Sequence, residues 1–118
     1  MIHTLLLVED EEDLRDLLAH AFEREGFAVI AASDGNEALA ALSHTPTIPC
    51  LVLLDLLMPG MNGWDFFDAF RARPELARVP VVIHSSAPNQ APRGVNRVLQ
   101  KPVALDRLLS VVREYCPG

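Results

Sequence analysis

Five side chains in this 118-residue sequence carry charges and lone pairs that chemistry could use together: the carboxylates of Glu9, Asp10 and Asp55, the hydroxyl of Ser85 and the ammonium of Lys101. Carboxylate oxygens are hard donors. A group of them suits magnesium, which takes one or two carboxylates, keeps several waters and commonly shares its shell with phosphate oxygens. Such a site suits a metal that also holds a transferring phosphoryl group. Three carboxylates against one lysine leave about −2, which close packing tolerates only with raised pKa values or a bound dication. Lys101 is also the one lysine among 10 basic residues, so a composition that otherwise uses arginine has kept a single compact point charge.

Taken alone, each residue has an ordinary explanation. Glu9 and Asp10 are favourable charge ahead of a helix, Asp55 and Ser85 can cap whatever follows their strands, and Lys101 before Pro102 can be a solvated loop residue. Their convergence depends on the elements that carry them. Short β-branched or leucine-rich runs at 3–8, 27–32, 50–55, 80–85 and 95–100 alternate with stretches of helical period, the arrangement of a parallel sheet covered by helices on both faces. In such an open α/β sheet, ligands gather outside the carboxyl ends of the strands. The first strand ends there in Glu9 and Asp10, the third in Asp55, the fourth in Ser85 and the fifth in Gln100 and Lys101.

The helices are predicted from their apolar stripes. The first carries Leu14, Leu17, Leu18, Ala21 and Phe22 and ends at Gly26; the second, capped by Ser33 or Asp34, carries Ala38, Leu39 and Leu42. A loop with Pro59, Gly60 and Gly63 leads to a third, capped by Asn62, bearing Trp64, Phe67 and Phe70 and stopping before Pro74. The last presents Leu105, Leu108, Leu109 and Val112. Between 86 and 95 the chain has Pro88, Pro92 and Gly94 and too few residues for a full crossover helix, so the fourth helix is expected to be short, distorted or absent.

Composition bounds the function. Half the residues are apolar and 22% are charged, which describes one folded domain and excludes disorder of the whole. A net charge of −6 without a basic cluster argues against partners that are nucleic acid or an anionic membrane surface. The apolar run 5–8 meets five acidic residues, 9–13, and so is neither a signal-peptide core nor a membrane span; the expected setting is the cytoplasm. Cys50 and Cys116 lack the spacing of a zinc site or a redox dithiol and are expected to be ordinary reduced thiols. His84 falls on the face of its strand opposite Ser85 and is expected to be a packed or hydrogen-bonded core histidine.

Four short motifs stand in order: Val8-Glu9-Asp10-Glu11, LLDLLMPGMNG at 53–63, Pro80-Val81-Val82-Ile83-His84-Ser85-Ser86-Ala87, and Lys101-Pro102. With these, over essentially its whole length, the chain resembles the receiver domain of two-component response regulators. The resemblance implies a flavodoxin-like, doubly wound, five-stranded parallel sheet of order 2-1-3-4-5, with residues 1–118 forming one receiver domain. It implies that Asp55 accepts a phosphoryl group from a histidine kinase or phosphotransfer protein. Magnesium would be held by Glu9, Asp10, Asp55 and the Leu57 backbone carbonyl, and the phosphoryl oxygens by Lys101 and Ser85. The product would be an acyl phosphate that alters protein–protein contacts, so the domain is a switch with only self-directed catalysis.

Two departures from the family pattern bear on that expectation. Val98, three residues before Lys101, stands where the family commonly has an aromatic residue that swings inward, so output is expected to use another surface. Leu57 and Ala87 are apolar and cannot orient an attacking water, so slow loss of the phosphoryl group is expected. Two rivals fit less well. An aspartyl-phosphate phosphatase or phosphotransferase typically needs a second acid where Leu57 stands, and no cap domain is expected here. A pseudo-receiver that binds a partner without being phosphorylated would have lost the acidic pair, the acceptor or the lysine.

Overall fold

The runs of leucine, valine and isoleucine form five strands, β1 (Thr4–Val8), β2 (Ala28–Ala32), β3 (Leu51–Leu54), β4 (Val81–Ser85) and β5 (Arg97–Gln100), in a computed structural model that describes residues 2–58 and 60–117. Pro59 and the two terminal residues, included in the readings above, lie outside the described residues. All strand pairs are parallel, in the order β2-β1-β3-β4-β5 that the resemblance implies. The helices are α1 (Glu12–Arg24), α2 (Gly35–Ser43), α3 (Gly63–Arg71) and α4 (Leu105–Tyr115).

Alternation along the strands divides the core into two layers. Leu6, Val8, Val52, Leu54, Val81 and Ile83 face α2 and α3, meeting Ala38, Leu42, Phe66 and Phe70. Leu5, Leu7, Leu51, Leu53, Val82 and Leu99 face the other way, against Leu18 and Phe22 of α1 and Leu108, Val111 and Val112 of α4. Every residue of β3 is buried, as its unbroken apolar run requires of a central strand. The Asp34 side chain accepts from the Glu37 amide at 2.9 Å, and that of Asn62 from the Asp65 amide at 2.9 Å, so α2 and α3 begin where the sequence places their caps.

Several expectations need correction. Leu17 is 59% exposed, so the inner line of α1 is Leu14, Leu18 and Phe22, spaced by four; Leu17 lies about 100° around the helix from Leu18 and faces solvent. Phe66, absent from the expected stripe of α3, is fully buried, its ring centroid 5.5 Å from that of Phe70. Trp64 sits at the margin and donates its indole N–H to the Gln90 carbonyl at 2.5 Å. That bond holds the β4–β5 connection, where the prolines leave only a 3₁₀ turn, Pro88–Gln90, in place of a crossover helix.

Cys50 and Cys116 are not free thiols: they form a disulfide with a Cα–Cα distance of 5.8 Å. Cys50 lies just before β3 and Cys116 ends α4, which packs on the same face of the sheet. Tertiary packing thus joins residues 66 positions apart, which local cysteine spacing cannot reveal.

Candidate functional site

The ladder between β1 and β3 continues one step beyond the strands, the Asp55 amide donating to the Val8 carbonyl at 3.0 Å. The Glu9 amide donates to the Ala32 carbonyl at 3.0 Å, so the sheet itself sets Glu9 and Asp55 side by side at its carboxyl edge. Glu9 and Asp55 are buried and Asp10 is exposed, with carboxylate oxygens of the three within 4.8 Å of one another. Arg15 of α1 secures the turn by donating to the Glu9 carbonyl at 3.0 Å.

Lys101 enters from the other side. Ser85 and Gln100 are register partners, and the Lys101 amide donates to the Ser85 carbonyl at 2.9 Å. Its Nζ donates to Glu9 Oε1 at 2.7 Å and to Asp55 Oδ2 at 3.3 Å. The remaining oxygens take backbone donors: Glu9 Oε2 accepts from the Glu11 amide at 3.1 Å, and Asp55 Oδ1 from the Leu57 amide at 3.2 Å. Three carboxylates and one ammonium therefore converge as the strand ends predict. Ser85 is fully buried at the end of β4, and its hydroxyl accepts from the Ala87 amide at 3.1 Å.

Burial is the largest influence on Glu9 and Asp55 and raises both carboxyl pKa values; the Lys101 ammonium opposes it, and Asp10 adds to the rise at Asp55. For Lys101 burial acts to lower the pKa, yet its bond to Glu9 and the charge of Asp55 hold it above the ordinary lysine value. The amine stays charged while the carboxylates remain under-compensated. An all-oxygen donor set that is crowded and short of positive charge fits a hard dication such as magnesium.

Gly63, expected in a loop and found as the first residue of α3, has a positioning role that the sequence does not disclose. Its amide donates to the Leu56 carbonyl at 3.1 Å, and a Cβ there would meet Leu56 Cα at 2.7 Å and the Asp55 carbonyl oxygen at 2.9 Å. Those neighbours are backbone and cannot swing away. Gly63→Ala is therefore expected to displace the segment that carries the Leu57–Asp55 bond and to cost roughly 1–3 kcal/mol in urea unfolding. An unchanged Leu57 amide resonance in the variant would contradict this.

His84, as expected, shares the face of Val82 and not that of Ser85, and it is buried. Burial first, and the Lys101 charge second, push its pKa down to about 4, so the ring is neutral at physiological pH. The expectation of a packed histidine holds, but Nε2 finds no partner among the described residues. It lines a cleft of about 270 Å³ with Glu11, Leu14, Lys101, Pro102 and Val103. Leu57 and Val98, by contrast, are 45% and 38% exposed.

The family model for the response regulator receiver domain matches residues 5–113. The sensory transduction protein RegX3 of Mycolicibacterium smegmatis is 34% identical over 93% of this chain, which spans about half of that relative, 49%. An uncharacterized 14.6 kDa protein of Leptolyngbya boryana is 32% identical over 95% of this chain and 88% of its own length. Among solved structures, the receiver domain of the sensor histidine kinase PA1611 from Pseudomonas aeruginosa superposes with a TM-score of 0.87 at 22% identity, all of both chains being covered; it has a magnesium ion coordinated in its active-site cleft. The fold is the same, and among the described residues no helix of the present chain is long and apolar enough to cross a membrane.

Proposed function

The chain belongs to the response regulator receiver domain family, whose members are signalling switches and not enzymes acting on other molecules, and from that premise we propose that it is a phosphoacceptor of a two-component phosphorelay with Asp55 as the acceptor. The observation that carries the reading is the buried Asp55 carboxylate with Lys101 Nζ 3.3 Å from Oδ2 and two further carboxylates alongside. An Asp55 oxygen attacks phosphorus, the bond from phosphorus to the imidazole of a histidine kinase or phosphotransfer protein breaks, and an acyl phosphate results.

Asp10 and Asp55, with Glu9 and the Leu57 backbone carbonyl, would hold magnesium. That ion, when bound, neutralises negative charge on the phosphoryl oxygens. Lys101 gives up part of its bonding to Asp55 and donates to a phosphoryl oxygen, and the Ser85 hydroxyl, which accepts from the Ala87 amide, donates its proton to another. These contacts form only with the modified aspartate. Each charge-assisted bond is worth about 1.5–3 kcal/mol, enough together to bias the 86–96 segment and Lys101 between two arrangements. With Val98 in place of an aromatic residue, output leaves through a surface other than the one such a side chain would remodel. The setting is the cytoplasm, where the kinase's phosphohistidine is presented.

The test is direct. Incubation with magnesium and a small phosphodonor is expected to add one acid-labile phosphoryl group by intact mass, and Asp55→Ala to abolish it. No adduct on the native chain would favour the pseudo-receiver, and turnover of varied phosphoesters a hydrolase. After the donor is removed, the adduct is expected to persist for minutes or longer, because neither Leu57 nor Ala87 orients water; decay within seconds would refute that assignment.

A further inference from the structure

We propose that the Cys50–Cys116 pair is a thiol–disulfide exchange site, with a dithiol as its co-reactant, that sets how firmly α4 is held to the sheet. The bond ties the base of the strand leading to Asp55 to the far end of the helix that follows Lys101. Of these two elements only α4 can yield: β3 is hydrogen-bonded to β1 on one side and β4 on the other. The polar ties at that end of α4 are exposed ones, from Arg113 to Glu25, from Glu114 to Arg97, from the Tyr115 hydroxyl to the Asn96 carbonyl at 3.5 Å and, just past the helix, from His3 Nε2 to the Pro117 carbonyl at 2.9 Å. Exposed contacts of this kind hold little. The disulfide and the inner line Leu108, Val111 and Val112 are what fix the helix.

Access is asymmetric. Cys116 is 1% exposed, whereas Cys50 is half-buried at the head of β3, so Cys50 is the half assigned to receive the attack. One thiolate of the dithiol attacks the Cys50 sulfur, forming a mixed disulfide and expelling the Cys116 thiolate, which takes up a proton. The second thiol, as thiolate, then attacks the reductant's own sulfur, releasing Cys50 as a thiolate that is protonated in turn. Two electrons pass to the protein pair and the reductant leaves as a disulfide. Reoxidation by a disulfide of the same class reverses each step.

The full chain, purified in air, is titrated with dithiothreitol and its oxidised form, followed by alkylation with intact mass and by hydrogen exchange. Expected are no alkylation before reduction, two alkylations after it with native far-ultraviolet dichroism, a several-fold rise in amide exchange that at labelling times too short for global unfolding is confined to 111–116, and full reversal on oxidation. The Cys50→Ala/Cys116→Ala variant is expected to show the raised exchange at every redox poise. Alkylation of the air-purified chain, reduction only at the rate of global unfolding, or unaltered protection of α4 after reduction would each overturn the proposal. None of these readouts involves Asp55, so the phosphoacceptor reading can stand or fall separately.

Discussion

Lys101→Ala is expected to destabilise the metal-free protein by roughly 3 kcal/mol at pH 7, with a deficit that shrinks as the pH is lowered. The wild-type side chains of Glu9 and Asp55 are 2% and 5% exposed, and the Lys101 side chain between them is 21% exposed. Removing one partner of a buried ion pair leaves charge that neither water nor protein compensates, and about 3–5 kcal/mol is the usual cost. The lower end applies because the Lys101 side chain is partly exposed and the two acids can take up a proton. Their pKa values are already raised by burial, and losing the ammonium removes the main opposing influence, so both rise further.

The direction with pH follows. A group whose folded pKa exceeds its unfolded value contributes stability that is complete below the unfolded pKa and is lost as pH rises through the folded one. The variant should approach the native protein at a pH low enough to protonate both acids, and fall behind it as the pH climbs through their raised values. Urea unfolding from pH 4 to pH 8 in a chelator measures this. A deficit of constant size would instead assign the loss to packing of the lysine stem. Magnesium at pH 7 is expected to recover more stability in the variant than in the native chain, since a dication supplies charge the variant lacks.

Most of this site was legible in the sequence because strand ends are fixed by composition. The apolar runs before Glu9, Asp55 and Lys101 can only be strands of a buried sheet, and parallel pairing brings their carboxyl ends to one edge. The caps at Asp34 and Asn62 and the prolines at 88 and 92 were equally readable, since their effects are local. What escaped depends on which surfaces meet. Leu17 satisfies the helical period yet points outward because α1 touches the sheet along one line only. Gly63 is marked by the approach of the Leu56 and Asp55 backbone, and the Nε2 of His84 by having no partner among the described residues. Neither leaves a trace in spacing. The disulfide was misread for the same reason, its two halves lying in different elements.

Cys50→Ala/Cys116→Ala, or full reduction of the native chain, is expected to cost about 4 kcal/mol at 25 °C, because the bond closes a loop across a sequence separation of 66 and its loss restores that much freedom to the unfolded chain. For a chain of this size each kcal/mol moves the melting temperature by about 4 °C, so a fall on the order of 15 °C is expected. The effect acts on the unfolded state, so the denaturant m-value should rise as the released chain expands. A melting temperature indifferent to reductant would mean that the bond does not constrain the unfolded chain. The pair lies at the amino edge of β3 and Lys101 at its carboxyl edge, separated by a strand of 4 residues with no shared partner, so the two losses should add. Their sum, roughly 7 kcal/mol, approaches the whole stability of many domains. Lys101→Ala in the reduced protein is therefore expected to be largely unfolded at pH 8 and to regain structure as the pH falls through the raised values of the two acids, where the carboxylates at the far end of the sheet take up protons and only the loop-closure cost remains.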